Sequence, residues 1–339
     1  MFGFGKSRIF VLSVDGGGIR GIIPAMILQH LEQRLKEAGV DKPFHRLFDL
    51  MAGTSTGSII VLGLTAPAEN RSDAAFSISD ILRIYENQGR EIFPPARFRS
   101  LRTVSQVWTE RYDHRPLEGI LKEWFGDLTL KDALTNVLVT AFDTEHTKPF
   151  LMKSRHFPKG GVTDLNFYMR DAARASSAAP TFFELPYIQA LNREDQRFSL
   201  IDGGVFANNP ALCAYIEARK MFPRAKKYTI LSLGTGRASW GYPYEDVKDW
   251  GYIDWVRPGK GTPLFRMIMR GQSECVAHHL SRIDEVEYIR LNGLLDNRSE
   301  LMDDAGDRNI QRLKQAAETI IRENEEKLQR MVSLLQRRR

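Results

Sequence analysis

Arg8-Ile-Phe-Val-Leu-Ser-Val-Asp-Gly-Gly-Gly-Ile-Arg-Gly21 is the stretch on which the architecture turns. Its first seven residues read as a buried strand, stopped by Asp15. Three glycines follow, and then 24–38 predicts an amphipathic helix with Ile27, Leu28, Leu31 and Leu35 on one side. The apolar run 47–52 predicts the next strand, completing a βαβ unit. Outward from it the alternation continues, with strands expected at 136–142, 149–153, 198–201, 228–233 and 286–291 and helices at 79–88, 116–125, 165–175 and 210–221. That pattern implies an α/β class with a largely parallel sheet covered by helices.

Composition is ordinary globular usage: 339 residues, 42% hydrophobic, 27% charged. Disordered and collagen-like classes are excluded. Cys213 and Cys275 are too few for a disulfide scaffold, and no Cys/His cluster has metal spacing, so no metal and no cofactor is expected. The longest apolar run, 59–64, falls far short of the ~20 residues of a membrane helix, and the opening residues do not read as a signal peptide. The expectation is a cytoplasmic protein. A charge of +6 fits an anionic lipid surface or nucleic acid, and equally a plain solvated surface.

Two excursions interrupt the alternation, 89–115 and 234–263, neither of them a linker. The chain is therefore read as one domain over 1–308. From 309, Ile310, Leu313, Ala317, Ile320, Leu328, Met331 and Leu335 recur at helical spacings, so 309–339 predicts a long amphipathic helix and basic tail. Packing on its own core is the expected role, with an oligomer seam or a membrane surface as alternatives.

Three strand ends carry chemistry. Gly53-Thr-Ser55-Thr-Gly57 lies between a strand and a helix, where small flanking residues allow a sharp turn that lifts the Ser55 oxygen above the sheet. A plain turn or helix cap is the competing reading. Asp15-Gly16-Gly17-Gly18-Ile19-Arg20-Gly21 leaves backbone N–H groups open beside a helix N-terminus, suited to phosphate or a developing oxyanion. Gly16, Gly18 and Gly21 also fit the dinucleotide fingerprint, but the second strand runs into Gly53-Thr54-Ser55 where that fold wants an acid. Asp202-Gly203-Gly204 closes a third strand, alone no more than a turn. Together they supply a nucleophile, an oxyanion hole and a base, the parts needed for acyl transfer.

These motifs, with Ala175-Ser-Ser-Ala-Ala-Pro-Thr-Phe182 between the second and third, resemble the patatin-like phospholipases over roughly residues 8–235. The resemblance implies a three-layer α/β/α sandwich, a Ser–Asp dyad without histidine, and calcium-independent hydrolysis of acyl chains from membrane lipids at the inner face of the membrane. Carried over, Ser55 attacks the ester, Asp202 takes its proton, and Gly16, Gly17 and Gly18 hold the oxyanion with Arg20 as helper. Asp15, Gly21, Gly53, Gly57, Gly203 and Gly204 shape the turns. The chain also resembles the phospholipase effectors of bacterial anti-phage systems that cyclic oligonucleotides switch on. Arg90, Arg97, Arg99 and Arg102, with Phe93, Phe98 and Trp108, are candidates for such a nucleotide, against a basic lid or headgroup surface. No nucleic-acid polymer is expected as a partner; a homo-oligomer is a candidate state.

Two other classes stay open on sequence. A conventional Ser–His–acid hydrolase would draw its imidazole from His278 or His279. A lipid- or partner-binding module could keep the fold without the chemistry, although Ser55 and Asp202 are both intact. Trp240, Tyr242, Tyr244, Trp250, Tyr252 and Trp255 suggest either an apolar lid for lipid access or the packing of a long loop.

Overall fold

The structure, a computed structural model, describes residues 7–69, 71–94, 112–154, 165–180, 182–239, 241–256, 263–296 and 299–338. Strand β1 (Arg8–Val14) is apolar on both faces: Phe10, Leu12 and Val14 enter one core, Ile9 and Val11 the other. Such a strand can only be central. It pairs in parallel with β2 (Leu50–Thr54) on one side. Beyond β2 lie β3 (Asn136–Asp143), parallel to it, and β4 (Lys148–Lys153), antiparallel to β3. Two short antiparallel strands, β5 (Tyr187–Gln189) and β6 (Arg197–Asp202), extend this end. On the other side of β1 lie β7 (Lys227–Leu233) and, after a two-residue β8 (Arg237–Ala238), the strand β9 (Val286–Leu291), with β10 (Leu294–Leu295) pairing β8.

Helices cover both faces, giving the α/β/α sandwich. The larger core takes α1 (Ile22–Glu37) after a 3-10 turn at Gly18–Gly21, α2 (Phe44–Leu47), α3 (Thr56–Gly63), α4 (Ile78–Arg83), α5 (Gly89–Ile92), α6 (Arg115–Phe125) and α7 (Met169–Ser176). After α8 (Gly204–Ala207), helix α9 (Ala211–Met221) puts Ala211, Ala214, Tyr215 and Ala218 on the smaller core of the opposite face. There it meets Leu280 of α12 (Pro263–Leu280), which follows α10 (Tyr244–Val247) and α11 (Tyr252–Val256). Helices α13 (Asp307–Glu323) and α14 (Glu325–Gln336) return to the larger core, burying Ile310, Leu313, Ala317, Ile320, Leu328, Met331 and Leu335.

Several expected elements differ. The terminal helix is two helices, broken at Asn324, which leaves helical geometry at φ −119 and whose side-chain amide joins its backbone N–H on the Ile320 carbonyl, at 2.8 Å. The stretch expected to be helical at 79–88 starts at Ile78 behind a Ser77–Asp80 capping box and ends in a π-helical turn, Ile84–Gln88. Residues 165–168 are extended, because Phe167 O accepts from Leu130 N–H and Met169 N–H donates to Leu128 O. Leu47 closes α2 and does not open β2.

Candidate active site

Ser55 follows the last residue of β2 and caps α3 with φ 53 and ψ −125. A non-glycine residue in that region carries backbone strain that its surroundings must hold. They do so from several directions. Its N–H donates to Ser176 Oγ at 2.8 Å, its carbonyl accepts from Ser58 Oγ at 2.6 Å, and Tyr85 of the π turn meets Thr56 Oγ1 at 2.6 Å. Ser176 explains the fourth motif: α7 ends where the Ser55 amide needs an acceptor. Gly57 is obligatory because a Cβ there would collide with the Val14 carbonyl of β1.

Asp202 arrives by an arrangement that strand-end logic did not anticipate, since β6 is antiparallel to β3. Helpfully, β4 fills one flank of β3 over Leu138–Asp143, while on the other flank β2 pairs as far as Thr54↔Thr140 and β6 takes over at Ala141↔Asp202. Strands β2 and β6 therefore meet end to end in one lane, which sets Asp202 against Ser55. Asp202 is 6% exposed; its carboxylate accepts the Gly204 N–H at 2.7 Å and feels the neighbouring Ser55 hydroxyl. Burial raises its pKa to about 6, against the lowering effect of the Gly204 N–H and the Ser55 hydroxyl.

The glycine loop lies beside this pair. The N–H of Gly16, expected among the oxyanion donors, is committed to the Asn208 carbonyl at 3.1 Å, and Gly16 O accepts from Thr235 Oγ1 at 2.7 Å. The amides of Gly17 and Gly18 have no partner among the described residues, which leaves those two as the free donors. Gly18 sits at φ 58, where a side chain would strike the Met302 carbonyl. Arg20 lies behind the loop, its Nε donating to Gly17 O at 3.3 Å. Beneath the loop the Asp15 carboxylate meets Arg290 at 2.8 and 2.5 Å, and Arg290 also reaches Ser232 and Ser273. Burial opposes the Arg290 charge, but the Asp15 carboxylate outweighs it and pushes the pKa above that of a free guanidinium. No motif marked Arg290; an isolated arginine on a strand has no signal in sequence.

Other candidates lie elsewhere. His278 and His279 are exposed on the last turn of α12, where a ring nitrogen of His279 bonds the Cys275 carbonyl at 2.7 Å; neither contributes to Asp202. Arg90 pairs with Asp307 at 2.6 Å and donates to the Ala305 carbonyl, tying α5 to α13. Arg97, Arg99 and Arg102, with Phe98, Trp108 and Trp240, lie outside the described residues. Among the described residues no cluster of His, Cys, Asp or Glu could hold a metal, and no helix is long and apolar enough to cross a membrane.

A layered sheet with a serine elbow beside a glycine-rich loop is the architecture of an ester hydrolase. Within that class, the chain belongs to the patatin-like phospholipase family, whose model matches residues 12–215. It is 32% identical over 344 residues to Patatin-like protein 2 of Oryza sativa subsp. indica, covering 93% of this chain and 84% of the relative. It is 33% identical over 308 residues to Patatin-like protein 2 of Arabidopsis thaliana, covering 84% and 75%. Among solved structures, VipD from Legionella pneumophila is a remote likeness at 13% identity and TM-score 0.33, covering 92% of this chain and 67% of that one. The chain is thus by class a lipid acyl hydrolase.

Proposed function

We propose that the protein cleaves fatty-acyl esters of membrane phospholipids through a Ser55–Asp202 dyad. One observation supports this above the others: β2 and β6, end to end against β3, set the Asp202 carboxylate beside a serine held at a strained elbow, in a buried setting that raises its pKa to about 6. A carboxylate is ordinarily too weak a base to take a serine proton, and desolvation moves it toward the task.

In this reading Asp202 accepts the Ser55 proton as Oγ attacks the ester carbonyl carbon. The oxyanion is met by the Gly17 and Gly18 amides. Collapse breaks the bond to the lysolipid oxygen, which leaves with the proton from Asp202, and water then repeats the sequence to release the fatty acid. The buried Asp15–Arg290 pair keeps a carboxylate near the hole neutralised, so that it does not oppose the developing charge. Control by a cyclic nucleotide gains no support from Arg90, which is engaged with Asp307.

A fluorophosphonate probe tests the assignment. It labels the wild-type protein at Ser55, and Ser55→Ala neither labels nor releases fatty acid. Label on a different serine overturns the reading.

A further inference from the structure

Behind the glycine loop lies a cavity of about 230 Å³, smaller than most small-molecule pockets; the larger part of its lining surface is apolar, and Arg20, Arg237, Arg266 and Arg270 all border it. Its walls come from the loop itself, through Asp15 and Arg20, from Asn208, and from the chain between Thr235 and Met302. That last segment lies outside the family match at residues 12–215.

Two of the three carboxylates that could neutralise the lining cations most directly are already engaged. Asp15 is held by Arg290, and Glu300 by Arg266 at 3.2 Å. Arg20 is different. It is only 7% exposed, its Nε is used on Gly17 O, and its two terminal nitrogens have no partner among the described residues. Arg237 and Arg270 stand at the exposed rim, with Glu274 as the remaining acid. Burial, and then repulsion from Arg266, lowers the pKa of Arg20 to about 10, a cost that an anion in the cavity would remove. A buried guanidinium with open donors wants an acceptor with several oxygens. Four arginines against three carboxylates in the lining disfavour a cation there.

We propose that this cavity binds a phosphate-bearing anion between Arg20 at its floor and Arg237 and Arg270 at its rim. Resting on the hydrolase reading, the anion is the headgroup phosphate of the lipid whose ester stands at Ser55, since Asn208 lines the cavity and, with Ser55, flanks the space that a side chain at Gly16 would fill. A free phosphate ion offers the same chemistry, and the experiment separates the two.

The first arm needs no turnover. Inorganic phosphate titrated into the Ser55→Ala protein gives a saturable calorimetric signal, and the added change Arg20→Gln weakens the affinity by about tenfold or more, as loss of a charge-assisted bond requires. Because Arg20→Gln could disturb the loop, the rim pair Arg237→Gln with Arg270→Gln is measured beside it and weakens binding in the same direction. The second arm compares hydrolysis of phosphatidylcholine and of diacylglycerol with the same acyl chains in detergent micelles. In the rim variant the ratio of the two rates falls by about tenfold, whereas Arg282→Gln, which removes a cation outside the cavity, leaves the ratio in place. Phosphate binding with an unmoved ratio keeps the site and overturns the headgroup assignment. Absence of phosphate binding with an unmoved ratio overturns the site. Failure of the probe to label Ser55 would sink the hydrolase reading while leaving the calorimetric result intact.

Discussion

As the base of the proposed dyad, Asp202 carries opposite demands. As a base it must be ionised, so hydrolysis rises with pH through about 6 and falls about tenfold per pH step below it. For stability the sign is reversed. The folded pKa lies above the value of 3.8 for the free group, so the folded state binds the extra proton between those two points, and stability is lost as pH rises through about 6. Asp202→Asn therefore abolishes hydrolysis yet unfolds at higher denaturant at pH 7.5, by up to about 3 kcal/mol, with the gain vanishing near pH 4. A less stable Asn variant at pH 7.5 would refute this account of the burial. At this scale the sequence reveals residues whose constraint is local. Ser55 is legible because its turn needs glycines at fixed offsets, and Asp202 because a strand ends on it before two glycines. Arg290 and Asn208 are not, since each acts across more than 190 residues of intervening chain on a loop near the start. The commitment of the Gly16 amide is likewise a tertiary fact.

Among elements, the opening β1–loop–α1 unit follows the sequence closely because strand period, glycine turn and helix period agree over contiguous residues. The direction of β6 does not, since a short, largely apolar run such as 198–201 reads the same in either sense. The aromatic excursion admits two readings in sequence, and the structure divides its residues. Tyr242, Trp250 and Trp255 pack on one another, with ring centroids 5.5 and 5.0 Å apart, whereas Tyr252 and Ile253 of α11 are 83% and 70% exposed. Leu264, Met267 and Ile268 extend that apolar surface along α12, next to the cavity wall. Exposed apolar groups so close together suit insertion into a lipid interface. Replacing Tyr252 and Ile253 by Ser lowers the ratio of vesicle-lipid to soluble short-ester hydrolysis by about tenfold, since each buried apolar side chain is worth about 1.5–3 kcal/mol. Equal losses on both substrates would assign α11 a purely structural role.

Across the whole molecule, the parts of the site are unequally anchored. Ser55 and the glycine loop grow from β2 and β1, which lie inside the sheet with partners on both sides. Asp202 hangs on three residue pairs between β6 and β3 and three more between β6 and the short β5. Short peripheral ladders open before central ones, so Asp202 can leave Ser55 while both cores remain intact. The enzyme should accordingly have two melting points, one for its chemistry and a higher one for its fold. Residual activity after brief heating is lost at a lower temperature than the circular-dichroism transition, and amide deuteration of 198–202 runs ahead of 9–14. Coincident curves would mean that β6 unfolds only with everything else. If they separate, engineering for heat tolerance has an address: a stronger β5–β6 hairpin would extend the working range without any change to the cores.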